Sequence, residues 1–297
     1  MSNKPRKMTL EKKHNLTGWA FLAPATFLIA VFSFWPMIKA LVLSFQTGKG
    51  RNMQMAGFTN YIRMFQDDVF IQSIKNTFFY FILQVPIMLV VAMVLACILN
   101  KKDLRFKGFF RTMIFVPCTT SLVAYSIIFR SLFANDGLVN YVLVNIGILD
   151  KPYNFLTQPF AAKIVIILAL LWRWTGYNMV FFLSGLQNIE YSVYEAAKID
   201  GASAIQTFFK ITVPLLKPTI LLTAIMSTNG TLQLFDESIN LTDGGPANAS
   251  ISMSHYIYNL CFKYVPNFGY AAAMSFFILL LVAVLAFIQM RVGDKRD

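Results

Sequence analysis

NTFFYFILQVPIMLVVAMVLACILN, residues 76 to 100, runs for 25 positions without a charged side chain. Wound as an α-helix at about 1.5 Å per residue, it outreaches the roughly 30 Å hydrocarbon core of a bilayer. Inside lipid a helix satisfies its own backbone N–H and C=O groups, which an open strand cannot do. Tyr264 to Met290 is a second uncharged stretch of spanning length. Working outward from these two, apolar runs at about 19–40, 76–99, 110–133, 161–186, 214–235 and 270–290 give six candidate spans. The third, fourth and fifth are less pure and carry Arg130, Arg173 and Lys217. Composition agrees, with 57% hydrophobic and 13% charged residues and a mean hydropathy of +0.57. A soluble domain is nearer 45–50% apolar and about 25% charged. The expected fold class is all-α, a polytopic membrane protein of six transmembrane helices.

The net charge of +12 then becomes a question of place. Residues 1–18, 100–109, 187–213 and 291–297 hold 14 Lys and Arg in 62 positions, against 5 in the 90 positions of 46–74, 134–160 and 236–269. The positive-inside tendency puts the first set, and with it both termini, in the cytoplasm. An even number of spans follows, and six is even. Bases such as Lys101, Lys102, Arg105 and Lys107 flank spans and form no stripe interleaved with exposed aromatics, so nucleic-acid binding is excluded. Anionic-lipid contact accounts for them.

Cys97, Cys118 and Cys261 are too few and scattered for a disulfide framework, and His14 and His255 are the only histidines. No metal site and no cofactor is expected. Nothing matches the phosphate-binding G-x-x-x-x-G-K-[ST] pattern. The first apolar run, Trp19 to Ile38, is too long for a signal-peptide core and reads as a retained span.

The connection 187–213 has only two bases and a helix–turn–helix grammar. Glu195, Ala196, Ala197 and Lys198 favour helix, and Gly201 breaks it after Asp200. Ala204 to Thr212 follows as a second helix with Ile205, Phe208, Phe209 and Ile211 near one face, and Pro214 opens the next span. Such an element can lie on lipid or dock into a partner's groove. Tyr194 to Pro218, YEAAKIDGASAIQTFFKITVPLLKP, resembles the EAA loop of permease subunits in binding-protein-dependent ABC importers. The matching positions are Glu195-Ala196-Ala197, Asp200-Gly201-Ala202, Gln206, Phe208, Pro214 and Pro218. Gly57 to Tyr61, Trp172 to Gly176, Leu186 to Ile189 and Leu241 to Pro246 extend the similarity over about residues 57–290, in the style of the maltose-type and oligosaccharide branch.

The resemblance implies a type I ABC importer permease fold in the bacterial plasma (inner) membrane. It divides the chain into a cytoplasmic tail (1–18), a first span with external loop (19–75), a permease core of five spans (76–290) and a cytoplasmic tail (291–297). It implies a second homologous permease subunit, two cytoplasmic ATPase subunits and an external solute-binding protein as partners. ATP hydrolysis would belong to the ATPases, so this chain is not expected to be an enzyme. Glu195, Ala196, Ala197, Asp200 and Gly201 would couple to the ATPase: Glu195 as a charged contact, the alanines by close seating, Gly201 as the bend and Asp200 as its tie. Loop geometry alone also accounts for the small residues.

Polar groups inside spans usually face a cavity or another helix. Span five is the most polar, and Asn229 and Gln233 lie four apart, on one face with Met226 and Gly230. Amides donate to and accept from sugar hydroxyls. Matching outward from Glu195, the resemblance adds Tyr177 and Asn178, and span three offers Tyr125. The expected substrate set is therefore Tyr125, Tyr177, Asn178, Met226, Asn229, Gly230 and Gln233, with interhelical hydrogen bonding as the competing reading. Arg173 is expected to pair with Asp236 or Glu237, or else to face an anionic solute. The latter keeps open a substrate such as a glycerol phosphate or acidic sugar. An ion-coupled secondary transporter is disfavoured, because no repeat is evident and no acid is expected within a span. Residues 236–268 are expected as an external loop, part of the outer gate and of the binding-protein docking face in the family. Some maltose-type members carry extra N-terminal spans and a large external insertion. Neither is seen here, so their contacts with the binding protein are not carried over.

Overall fold

The computed structural model describes residues 9–49, 52–101 and 103–293. The tail residues 1–8 and 294–297, and Lys102 among the span-flanking bases, lie outside them. Among the described residues four helices are long and apolar enough to cross a membrane. They are α1 (Leu10–Ser44, with a π-helical turn over Ala30–Phe34), α3 (Asp68–Asn100), α7 (Pro159–Gln187) and α13 (Phe268–Gly293). Two bent pairs bring the count to six if each is one span: α4 (Lys107–Thr119) with α5 (Leu122–Leu132), and α9 (Ala204–Leu215) with α10 (Lys217–Leu232).

The two bent pairs fall where the third and fifth spans are expected. α4 and α5 meet at 99°, across extended residues at Thr120 and Ser121. Arg130 falls in the last turn of α5. α9 and α10 meet at 71°. Pro218 has no N–H to donate, and in a continuous helix its ring would strike the carbonyl four residues back. The helix therefore runs on through Pro214 and breaks at Leu216, so Pro214 closes α9 instead of opening the span. Lys217 stands at the first turn of α10.

Outside the long helices the chain forms a small hairpin of β1 (Gln46–Lys49) and β2 (Asn52–Met55), then α2 (Thr59–Met64), and, between α5 and α7, α6 (Leu138–Asn145). Buried Asn60 donates to the Ser44 and Gln46 carbonyls and ties α2 under the end of α1. Asp67 caps α3, accepting from the Val69 and Phe70 N–H groups, and its other oxygen accepts from the Tyr256 and Tyr270 hydroxyls.

Lipid gives helices little hydrophobic reason to associate, so close backbone approach and polar links matter more. The α3–α7 pair is the centre of the bundle. Ala92 and Ala96 of α3 let Met179, Phe182 and Leu183 of α7 come close, and Tyr80 packs against Ile166 and Leu170 nearer the other end. Gly176 marks the tightest approach, where a Cβ would lie 1.9 Å from the Ile114 carbonyl oxygen of α4.

The segment after α10 departs most from expectation. Asp236 to Phe268 is no simple external loop. It forms α11 (Asp236–Thr242) and α12 (Met253–Tyr258), with Leu241, Ile251, Met253 and His255 buried. Its backbone is pinned from α3: Asn76 donates to the Asn248 and Ile251 carbonyls, and Tyr80 to the Ser250 carbonyl. A second polar cluster closes it from within. Ser238 Oγ lies 2.9 Å from His255 Nδ1, and His255 Nε2 faces Asp243, which Lys263 also holds. Burial pushes the His255 imidazole down to about 4, against the opposing pull of Asp243.

This histidine makes stability depend on pH. Its folded value lies below the unfolded value of about 6.5, so its contribution is complete above pH 6.5 and is lost as pH falls toward 4. The loss reaches about 1.4 kcal/mol per pH unit at most. The purified protein should therefore melt progressively lower between pH 6.5 and 5, and His255→Gln should flatten that slope. An unchanged slope in the variant would assign the acid sensitivity elsewhere.

Candidate functional site

α3 is about 50 Å long at 1.5 Å per residue, and Gln84 stands at its midpoint. At that level a cavity of about 320 Å³ opens between α3, α7 and α10, closed on one side by the start of α11. Five of the seven expected substrate residues line it: Tyr177, Asn178, Met226, Gly230 and Gln233. They meet because α7 and α10 both pack on α3, and helical spacing turns 226, 230 and 233 to one side. Asn229 lies just off the lining and accepts from the Gln233 side-chain amide. Asn178 donates to the Trp174 carbonyl and accepts from Ser227, so part of its capacity serves packing, as the competing reading held. Thr231 donates to buried Gln84 on the facing helix. The Trp174 and Tyr177 rings stand edge to face, 5.8 Å apart.

Tyr125 is placed differently. Its side chain is 0% exposed, it does not line the cavity, and its hydroxyl donates to Glu237. The expected ion pair of Arg173 is also corrected, since among the described residues it joins neither Asp236 nor Glu237. Arg173 is 6% exposed and donates 2.8 Å to the Thr120 carbonyl, at the very corner between α4 and α5. That corner leaves the end carbonyl of α4 without a helical partner, and a guanidinium is a fitting cap. Its plane lies over the Tyr125 ring at 4.8 Å and the Trp174 ring at 5.3 Å. Among the described residues no Lys, Arg or His lines the cavity, whereas Asp236 and Glu237 do. Sequence reasoning named these two acids only as candidate partners of Arg173 and placed the chain from residue 236 onward outside.

The 187–213 connection lies at the opposite end of α3 from the 236–268 segment, beside Ile98, Asn100 and Lys101. α8 (Tyr191–Ile199) ends in a backbone motif: Ala202 N–H donates to the Ala197 carbonyl and Gly201 N–H to the Lys198 carbonyl, with Gly201 at φ +75°. This is a Schellman cap, which asks for glycine at the left-handed position. The turn is thus tied by backbone, and no hydrogen bond to the Asp200 carboxylate takes part. Ser203 and Gln206 then form a reciprocal capping box at the start of α9. Of the expected coupling residues, Glu195, Ala196, Asp200 and Gly201 are exposed while Ala197 is buried. Ile199 is 85% and Ile205 71% exposed on the same loop. Phe209 is exposed too, but Phe208 and Ile211 are half-buried, so the expected apolar face is split by the π-helical turn over Phe208–Thr212.

A mostly helical bundle of this kind, with a central cavity and an exposed helix–turn–helix loop, has the design of a membrane-embedded permease. The sequence profile described as "binding-protein-dependent transport system inner membrane component" matches residues 66–296, and the chain belongs to that family. The chain is 51% identical over 292 residues to the lactose transport system permease protein LacF of Rhizobium radiobacter, covering 98% of each. It is 33% identical over 291 residues to the multiple sugar-binding transport system permease protein MsmF of Streptococcus mutans, covering 97% of this chain and 99% of that one. A chain of the bacterial alginate ABC transporter, solved in complex with alginate pentasaccharide-bound periplasmic protein, superposes with a TM-score of 0.84 at 25% identity, covering 98% of both. The protein is accordingly a membrane component of an ABC import system that works with a solute-binding protein.

Proposed function

We propose that this chain is the permease subunit of an ATP-driven importer for a neutral mono- or oligosaccharide. The observation that carries the reading is the cavity at mid-bundle, between the two spans flanking the 187–213 loop and lined by Asn178, Gln233, Tyr177 and Trp174. Aromatic faces suit the C–H face of a pyranose, and amides both donate to and accept from its hydroxyls. About 320 Å³ lies at the small end of ligand pockets, which suits one or two sugar rings in this half of the pathway. The sugar relatives named above lend independent support. The anionic-solute alternative loses its motivation, because Arg173 is capped on Thr120 and turned away from the cavity.

The proposed assembly pairs this chain with a second permease subunit and two ATPase subunits, with both termini and the 187–213 loop in the cytoplasm. Glu195, Ala196 and exposed Ile199 would form the face seated on the ATPase. In membrane vesicles holding the whole complex and its binding protein, ATP should drive sugar uptake and dissipating ion gradients should not stop it. Gradient-driven uptake without ATP would point to a secondary carrier. Gln233→Ala removes one neutral hydrogen-bonding group, worth about 0.5–1.5 kcal/mol, so apparent affinity for sugar should weaken roughly 2- to 13-fold. Unchanged rate and specificity would remove Gln233 from the pocket.

A further inference from the structure

We infer that Glu237 is the charge filter of the solute cavity, admitting neutral sugars and rejecting those that carry a carboxylate; this rests on the sugar reading above. Glu237 is 4% exposed and lines the cavity beside Asp236, in a wall that holds no basic side chain. Its carboxylate is not free to swing. The hydroxyl of Tyr125 donates to it, and Tyr125 is itself 0% exposed, fixed between Glu237 and the Arg173 guanidinium that lies 4.8 Å over its ring. Arg173 in turn is anchored on the Thr120 carbonyl at the α4–α5 corner.

The order of these groups decides the selectivity. Burial pushes the Glu237 carboxyl up, and the Tyr125 hydroxyl and the more distant Arg173 guanidinium oppose that rise from outside the cavity lining. The acidic residues Asp236 and Glu237 belong to the cavity lining, which Arg173 does not join. In a space screened from bulk water, like charges repel far more strongly than at a surface. A neutral sugar loses nothing by this arrangement, since its hydroxyls can donate to carboxylate oxygens. An acidic sugar of the same size meets two carboxylates and no compensating base. Specificity of this kind, built from a repulsive element against the wrong ligand, needs no added contact with the right one.

The test uses the assembled transporter in lipid nanodiscs, without binding protein, so that only the cavity selects. Binding of lactose and of lactobionate, a disaccharide-sized carboxylate, is measured for wild type and for Glu237→Gln, which keeps shape and hydrogen bonding but removes charge. Wild type should bind lactose and exclude lactobionate. In the variant the ratio of lactobionate to lactose binding should rise at least tenfold. Asp236→Asn, at the cavity edge, should move lactobionate binding the same way by less, and carries the test if Glu237→Gln fails to assemble. Lactobionate excluded equally by wild type and both variants would overturn the filter and leave the sugar reading standing. Failure of lactose to bind wild type would overturn the sugar reading, and the filter with it.

Discussion

Gly176→Ala should drive α4 away from α7 and lower the stability of the bundle by about 3 kcal/mol or more. The added Cβ would sit 1.9 Å from the Ile114 carbonyl oxygen, 2.7 Å from its carbon and 3.1 Å from the Phe115 Cα. All three are backbone atoms, so no rotamer change relieves the clash; a helix must move. The same helix carries the corner at Thr120 that Arg173 caps, and α7 carries both Arg173 and the cavity residues Tyr177 and Asn178. Displacing α4 therefore strains the cavity as well as the packing. For a chain of this size the loss should appear as a fall of roughly 6–12 °C in melting temperature of the purified complex. Gly230→Ala supplies the contrast. It too lies in a helix, but its Cβ would meet no atom within 4 Å. Its melting temperature should hold or rise slightly, since alanine favours helix by up to about 1 kcal/mol. A shift under about 2 °C for Gly176→Ala would mean that α4 can back away freely.

What was legible in the sequence follows from which physics is local. Residues 76–100 of α3 are legible because their length and lack of charge are themselves the reason they span. The loop from Glu195 to Gly201 is legible because a Schellman cap needs glycine in a fixed place after a short helix. Met226, Gly230 and Gln233 share a side because helical spacing fixes it, while their meeting with Tyr177 and Asn178 across two helices was legible only through the family resemblance. The corner at Thr120 is a different matter. Only the folded structure shows that a carbonyl is left free there and that Arg173, 53 positions away, reaches it. Asp236 to Phe268 misleads for a related reason. Its Ser, Asn, Gly and Thr content reads as a solvated loop, yet its hydroxyls and carbonyls are satisfied by one another and by Asn76 and Tyr80 of α3. Glu237 enters the sequence reading only as a candidate partner of Arg173, and its place in the cavity lining comes from the fold.

The other large effect is expected at Gly201, and it separates two roles that small residues in a loop can serve. With φ at +75° the position penalises any residue with a Cβ by about 1–2 kcal/mol, least for Asn and Asp, which tolerate the left-handed region best. No atom lies within 4 Å of the missing Cβ, so within this chain strain is the whole cost. If the glycine serves only the turn, Ala should then be the most damaging of Ala, Asn and Asp. If the exposed loop seats against the ATPase, side-chain bulk and charge at the turn matter more, and the order reverses to Asp, Asn, Ala. The proposed coupling role demands the second order. Gly201→Asp should leave the protein inserted in the membrane, with a melting temperature within about 2–4 °C of wild type. Solute-stimulated ATP hydrolysis and uptake should both fall at least tenfold, because ATPase closure no longer moves α9 and α10. Sugar binding to the cavity should survive, since the loop lies at the far end of α3. Retained uptake in Gly201→Asp, or a defect worst in Gly201→Ala, would mean that the loop is a structural turn and that coupling to ATP runs through another surface.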